Sequence, residues 1–190
     1  MIKNIPIDHP EIYSFCKKSL DKGEVIIYPT DTLYGFGVDA RNEIAIKKLN
    51  RIKRRSSPMS IIVKNFDQLS SYTKLSKEKK KFVQKNISNK TTFILPGIDG
   101  IVHKSIMSNN NLIGFRIPNN TIGPKLVSKI GYPITTTSVN RHGSKPMNNP
   151  EEMINEFENE VDIIINAGEL PTSKGSTIYI LTNDQFRILR

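Results

Sequence analysis

The chain has no tryptophan, one cysteine and three histidines in 190 residues, and these scarcities remove several kinds of chemistry at once. Cys16 has no second thiol for an internal disulfide and no metal-ligating companions, so it reads as a small helix residue, and zinc and thiol catalysis drop out. His9, His103 and His142 lie far apart, without metal-ligand spacing and without an obvious nucleophilic partner; they read as surface or loop residues, and a covalent mechanism is not indicated. No apolar run approaches the ~20 residues that span a bilayer, and the segment Met1 to Pro6 has no apolar signal region, so the expectation is a cytoplasmic protein with no membrane partner. There is no G-x-x-x-x-G-K-S/T phosphate loop, and Gly35-x-Gly37 lacks the third glycine of a dinucleotide fingerprint. Any nucleotide must be held in another way.

What is present fits one globular domain over residues 1–190, with 37% hydrophobic and 24% charged residues. The net charge of +10 predicts a field that attracts the phosphates of a nucleotide or of a nucleic acid. The basic residues are uneven. Lys47, Lys48, Arg51, Lys53, Arg54, Arg55 and Lys64 form one block without an acid between them. Residues 74–90 hold a second, on an expected helix with Phe82 and Val83 inward, which reads as a solvated face.

Periodicity predicts alternating helices and strands. One helix starts after an Asp8 cap and closes at Gly23. A second runs from about Asn42, with Ile44, Ala45, Leu49 and Ile52 at helical spacing, and delivers Lys53 and Arg55 at its end. Others lie near 76–86, 124–130 and 151–157. Strands are expected at 25–28, 60–63, 92–95, 112–116, 134–137, 163–165, 177–181 and 186–189, which makes a single mixed α/β sheet domain. The stretch Tyr28-Pro29-Thr30-Asp31-Thr32-Leu33-Tyr34-Gly35-Phe36-Gly37 packs hydroxyls, a carboxylate and two glycines directly after an apolar strand ended by Pro29. The glycines let the backbone approach a ligand or take positive φ, and the carboxyl ends of strands are where open α/β sheets bind ligands. The same stretch also reads as a plain hairpin or surface turn.

Three distant segments carry similar chemistry: Lys53-Arg54-Arg55, Thr135-Thr136-Thr137-Ser138-Val139-Asn140 and Lys174-Gly175-Ser176-Thr177. With the opening loop, Gly114-Phe115-Arg116-Ile117-Pro118 and the closing Ile188-Leu189-Arg190, they resemble in order and spacing the YrdC-like family, the threonylcarbamoyl-AMP synthases. The resemblance runs nearly end to end and is to the short, single-domain form. It implies a twisted mixed sheet with flanking helices and a basic concave ligand site. It implies a nucleotidyltransferase: threonine's amine and bicarbonate give a carbamate, whose oxygen attacks the α-phosphorus of ATP to yield threonylcarbamoyl-AMP and pyrophosphate. It assigns Lys53 and Arg55 to the triphosphate as catalytic residues, together with Mg²⁺. It assigns Thr32, Arg116, Thr136 and Ser176 to L-threonine, and Arg55, Ser138, Asn140 and Arg190 to ATP. The implied partner is a separate transferase that modifies adenosine beside the anticodon of tRNA, with direct contact between this chain and RNA left open.

Plainer roles stand beside these. Ser138 and Asn140 also suit a tight turn closed through side-chain to backbone bonds, Arg116 an exposed strand end, and Arg190 a terminus with no role. The chain departs from the family pattern after Arg55, where Ser56-Ser57-Pro58-Met59 is two residues shorter and lacks the first proline; aligning from Pro58 instead puts Arg51 and Lys53 in the basic slots. Two other classes remain open: an RNA-binding module on the same fold, for which the chain lacks an aromatic-rich stacking motif, and a paralogue acting on a different carbamate.

Overall fold

A computed structural model describes residues 2–56, 58–87, 90–108, 110–119, 121–182 and 186–189. Arg190, expected at the ATP site, lies outside them. The strands are β1 (Lys3–Pro6), β2 (Ile26–Pro29), β3 (Tyr34–Gly37), β4 (Ser60–Ile62), β5 (Thr91–Pro96), β6 (Leu112–Arg116), β7 (Ile134–Ser138), β8 (Ile163–Asn166), β9 (Thr177–Leu181) and β10 (Phe186–Ile188). They join in one sheet of order β1-β8-β2-β3-β7-β4-β6-β5-β9-β10. Parallel pairs (β1 with β8, β2 with β8, β4 with β6, β5 with β9) occur beside antiparallel ones, so the sheet is mixed.

Helices α1 (Ile12–Asp21), α2 (Glu43–Lys53), α3 (Phe66–Ser71), α4 (Lys77–Asn86), α5 (Ile122–Ile130) and α6 (Pro150–Phe157) flank this sheet. The two-residue period of a strand sorts its side chains between two cores. On β2, Ile26 and Tyr28 join Cys16, Leu20, Leu126 and Val127 of α1 and α5, while Ile27 joins Ala45, Ile46 and Leu49 of α2. β4 divides in the same way at Ile61 and Ile62. The architecture is therefore three layers, helices on both faces of a mixed sheet.

Local signals explain most boundaries. Asn42 caps α2, its Oδ1 accepting from Ile44 N at 3.0 Å and Ala45 N at 3.1 Å. Ser76 caps α4 through Lys79 N, and Asn149 caps α6 with Pro150 following. α1 begins later than expected: the first turn opens at Ile12, and the flanking Glu11 makes no side-chain cap. On α2 the buried positions are Ala45, Ile46, Leu49, Ile52 and Lys53, whereas Ile44 is 75% exposed. Ala45, Leu49 and Ile52 of the expected apolar stripe are buried, and the one miss is Ile44, whose place is taken by the equally apolar Ile46.

The opening loop is itself a hairpin. Pro29 pairs with Tyr34 and Ile26 with Gly37, so Tyr34 to Gly37 form β3 rather than loop. Gly35 and Gly37 do not use positive φ. Gly37 instead makes room, since a Cβ there would lie 2.8 Å from the Tyr28 ring. β1 and α3 were not anticipated either; β1 has one buried residue, Ile5, in a polar run too short to show a period.

Candidate functional site

The turn joining β2 to β3 is built by Thr30. Its hydroxyl donates to Leu33 O at 2.7 Å and accepts from Thr32 N and Leu33 N, each at 3.2 Å, which holds Thr32 at the strand ends. β6 ends alongside with Arg116, which is buried at 8% exposure. The Arg116 guanidinium donates to Asp31 Oδ1 at 2.5 Å and to Thr32 Oγ1 at 3.2 Å. One strand beyond β4, β7 contributes Thr136 and Ser138, and the parallel pairing of β5 with β9 brings the Thr92 hydroxyl within 2.7 Å of Ser176 Oγ.

Together these strand ends border a cavity of about 600 Å³. Its lining is rich in hydroxyls, and its charged members among the described residues are Arg55, Arg116 and Lys174, all cations. Arg55 lies just beyond the end of α2, which closes through Arg54 in the left-handed conformation. The Arg55 guanidinium has no carboxylate partner among the described residues; its hydrogen bond is a long one to Thr137 Oγ1, 3.4 Å, and its buried Nε has none. A cation held in that way suits a polyanion, for which a guanidinium offers planar bidentate contact.

Of the residues singled out from sequence, Thr32, Arg55, Arg116, Thr136, Ser138 and Ser176 all reach this cavity. Lys53 and Asn140 do not. Lys53 is 1% exposed and is not among the residues that line the cavity. Its ammonium donates to Ser138 O at 2.6 Å, Asn140 O at 3.1 Å and Asn140 Oδ1 at 3.0 Å. The Ser138 hydroxyl in turn donates to Asn140 Oδ1 at 2.7 Å, and Asn140 Nδ2 donates to the Arg141 and Ser144 carbonyls. Lys53 thus ties the end of α2 to the turn after β7. Burial, with the neighbouring Arg55 charge, pushes its ammonium down to about 7. Arg51 is exposed and outside the lining, while Arg55 and Pro58 line the cavity together.

The rest of the basic block is spread around α2: Lys47 pairs with Glu43 at 2.8 Å and Lys48 with Asp162 at 2.7 Å. Residues bordering the site without having been assigned a role include Thr92, Lys174 and Ser60. Lys174 carried a signal, standing in a singled-out segment; Thr92 carried none, since it reads as an ordinary strand residue until β9 is paired to β5. Among the described residues no group of three or more His, Cys, Asp or Glu could hold a metal. The described residues therefore offer no cluster that would hold Mg²⁺ by protein ligands alone. Cys16 is fully buried, and burial pushes its thiol up to about 12.

Comparison with known proteins places this geometry. A family model for Sua5, YciO and YrdC proteins, described as "Telomere recombination", matches residues 18–190. A candidate threonylcarbamoyl-AMP synthase of Methanocaldococcus jannaschii is 34% identical over 188 residues, 96% of this chain and 86% of that protein. Among solved structures, E. coli YciO superposes with a TM-score of 0.88 at 28% identity, covering 100% of this chain and 94% of that one. Sua5 of P. abyssi in complex with L-threonine superposes with a TM-score of 0.88 at 25% identity; the match covers 100% of this chain and 57% of the Sua5 chain.

Proposed function

The chain belongs to the Sua5/YciO/YrdC family, and from that premise we propose that it is a threonylcarbamoyl-AMP synthase, an ATP-dependent nucleotidyltransferase acting on L-threonine and bicarbonate. The observation that carries this reading is the meeting, in one cavity, of a buried guanidinium among hydroxyls (Arg116 with Thr32, Thr136 and Ser176) and a second guanidinium, Arg55, with no carboxylate of its own among the described residues. The first cluster matches an amino acid with a side-chain hydroxyl, the second a phosphate chain. A volume of about 600 Å³ falls within the usual range for small-ligand sites, roughly 300–1,000 Å³.

The chemistry follows from this division of labour. The amine of threonine condenses with bicarbonate, losing water, to give a carbamate. A carbamate oxygen then attacks the α-phosphorus of ATP and pyrophosphate leaves. No side chain need become covalently attached; the protein holds two anions in line and offsets their repulsion. Arg116 and Thr32 hold the amino acid at the ends of β6 and β2. Arg55, with Mg²⁺ carried on the triphosphate, takes negative charge on the leaving phosphates. Ser138 borders the same cavity at the end of β7, and Lys53 and Asn140 act as positioning residues by holding its carbonyl and its hydroxyl. The product is a labile mixed anhydride, which suits transfer to a second enzyme that modifies tRNA; Lys174 and the net positive charge are compatible with RNA nearby.

The test is pyrophosphate release from ATP and Mg²⁺ with bicarbonate, with and without L-threonine. Release that requires threonine and is lost in Arg116→Ala and Arg55→Ala supports the reading. Release indifferent to threonine, or none, overturns it.

A further inference from the structure

We propose that Asp31 binds the α-ammonium group of the amino-acid substrate, so that Asp31 and Arg116 read a zwitterion as a matched pair; this rests on the synthase reading and adds to it the residue that recognises the amine. Asp31 is at the tip of the turn between β2 and β3. It borders a second, smaller cavity of about 140 Å³, and Thr30, Thr32 and Ser173 border both this one and the larger. Across the described lining of the two cavities Asp31 is the one carboxylate. An ammonium group held beside Arg116 has no other acidic side chain to meet there.

Charge balance argues in the same direction. The Asp31 and Arg116 side chains are each 10% exposed and lie 2.5 Å apart. A ligand with a carboxylate alone would engage Arg116 and leave Asp31 under-compensated in a poorly solvated place, which is costly. A zwitterion brings a positive group for Asp31 as it brings a negative one for Arg116, and the charge balance of the pair is unchanged. The pair therefore discriminates against simple carboxylates as well as favouring amino acids. Asp31 is also held independently of Arg116, because its Oδ2 accepts from Lys90 N at 2.8 Å, Lys90 standing in the left-handed conformation with φ 62°. A carboxylate offers about four acceptor positions, so both oxygens keep capacity for the ligand.

The experiment measures binding without ATP, by calorimetry or by competition against L-threonine, for three ligands: L-threonine, L-threoninol, which lacks the carboxylate, and 3-hydroxybutyrate, which lacks the amine. Asp31→Asn keeps an acceptor for Lys90 N and removes the charge. It is expected to weaken L-threonine and L-threoninol about tenfold or more, the scale of a charge-assisted hydrogen bond, and to leave 3-hydroxybutyrate unchanged or tighter. Equal losses for threonine and 3-hydroxybutyrate overturn the proposal, since Asp31 would then act only through Arg116; so does unchanged binding of threonine. Wild-type protein that does not bind threonine sinks the synthase reading and this inference with it, whereas binding without the ligand-dependent difference sinks the inference alone. Should Asp31→Asn fail to fold, Asp31→Glu keeps the charge but displaces it, and the same contrast between L-threoninol and 3-hydroxybutyrate decides.

Discussion

At the scale of single residues, two cations two positions apart in sequence have opposite fates. Lys53 and Arg55 flank a left-handed Arg54, and that one backbone reversal sends Arg55 to the cavity while Lys53 stays buried on three oxygens. Replacing Arg55 by Gln should raise KM for ATP on the order of tenfold to a hundredfold, through loss of a charge-assisted contact, with KM for threonine much less affected; steady-state kinetics in each substrate separate the two. Lys53 carries a pH prediction. Its folded-state value near 7 lies below the ordinary 10.5, so between these limits the unfolded chain binds a proton that the folded chain does not. Stability from this group then rises with pH across that window and is lost as pH falls towards 7. Urea unfolding at pH 7 and pH 9 should show this increment in wild-type protein, and Lys53→Met should lack it; an identical pH slope in both would contradict the assignment. Cys16, buried and with its thiol raised to about 12, should resist alkylation at pH 8 until the chain unfolds.

At the scale of elements, the site depends on how closely strands can approach. Ser60 of β4 pairs with Gly114 of β6, and a Cβ on Gly114 would lie 2.3 Å from Ser60 Oγ. β6 also carries Arg116, so a displaced β6 moves the guanidinium. Gly114→Ala should cost about 1–3 kcal/mol of stability by overpacking and should raise KM for threonine, while Ser60→Gly in the same chain should recover part of both. Denaturant midpoints and kinetics on the single and double variants check this. The G-x-R-x-P element thus combines a packing requirement with a chemical one two residues later. Sequence made both residue types visible, but β4 as the partner strand follows from a parallel crossover that no local pattern encodes.

At the scale of the whole molecule, the net charge of +10 is not concentrated in the cavity. α2 turns its basic residues to different sides, Lys47 to Glu43 and Lys48 to Asp162, and Arg51 to solvent. A Lys47→Gln, Lys48→Gln, Arg51→Gln variant should keep KM for ATP within about twofold of wild type, because exposed and paired charges contribute little at a distance at physiological salt. If the block instead serves RNA, the same variant should show weaker, less salt-dependent RNA binding, read by titration at two salt concentrations. Sequence alone determined the class of fold, most strand and helix positions, and the residue types of the cavity wall, since hydrophobic period, caps and glycines act within a few residues. Tertiary structure decided which of those residues meet. It turned the opening loop into a hairpin whose turn borders the cavity, buried Lys53, brought Thr92 to Ser176, and set Asp31 against Arg116. Each of these depends on strands far apart in the chain coming side by side, and the free energy that aligns them is the burial of two cores on opposite faces of one sheet.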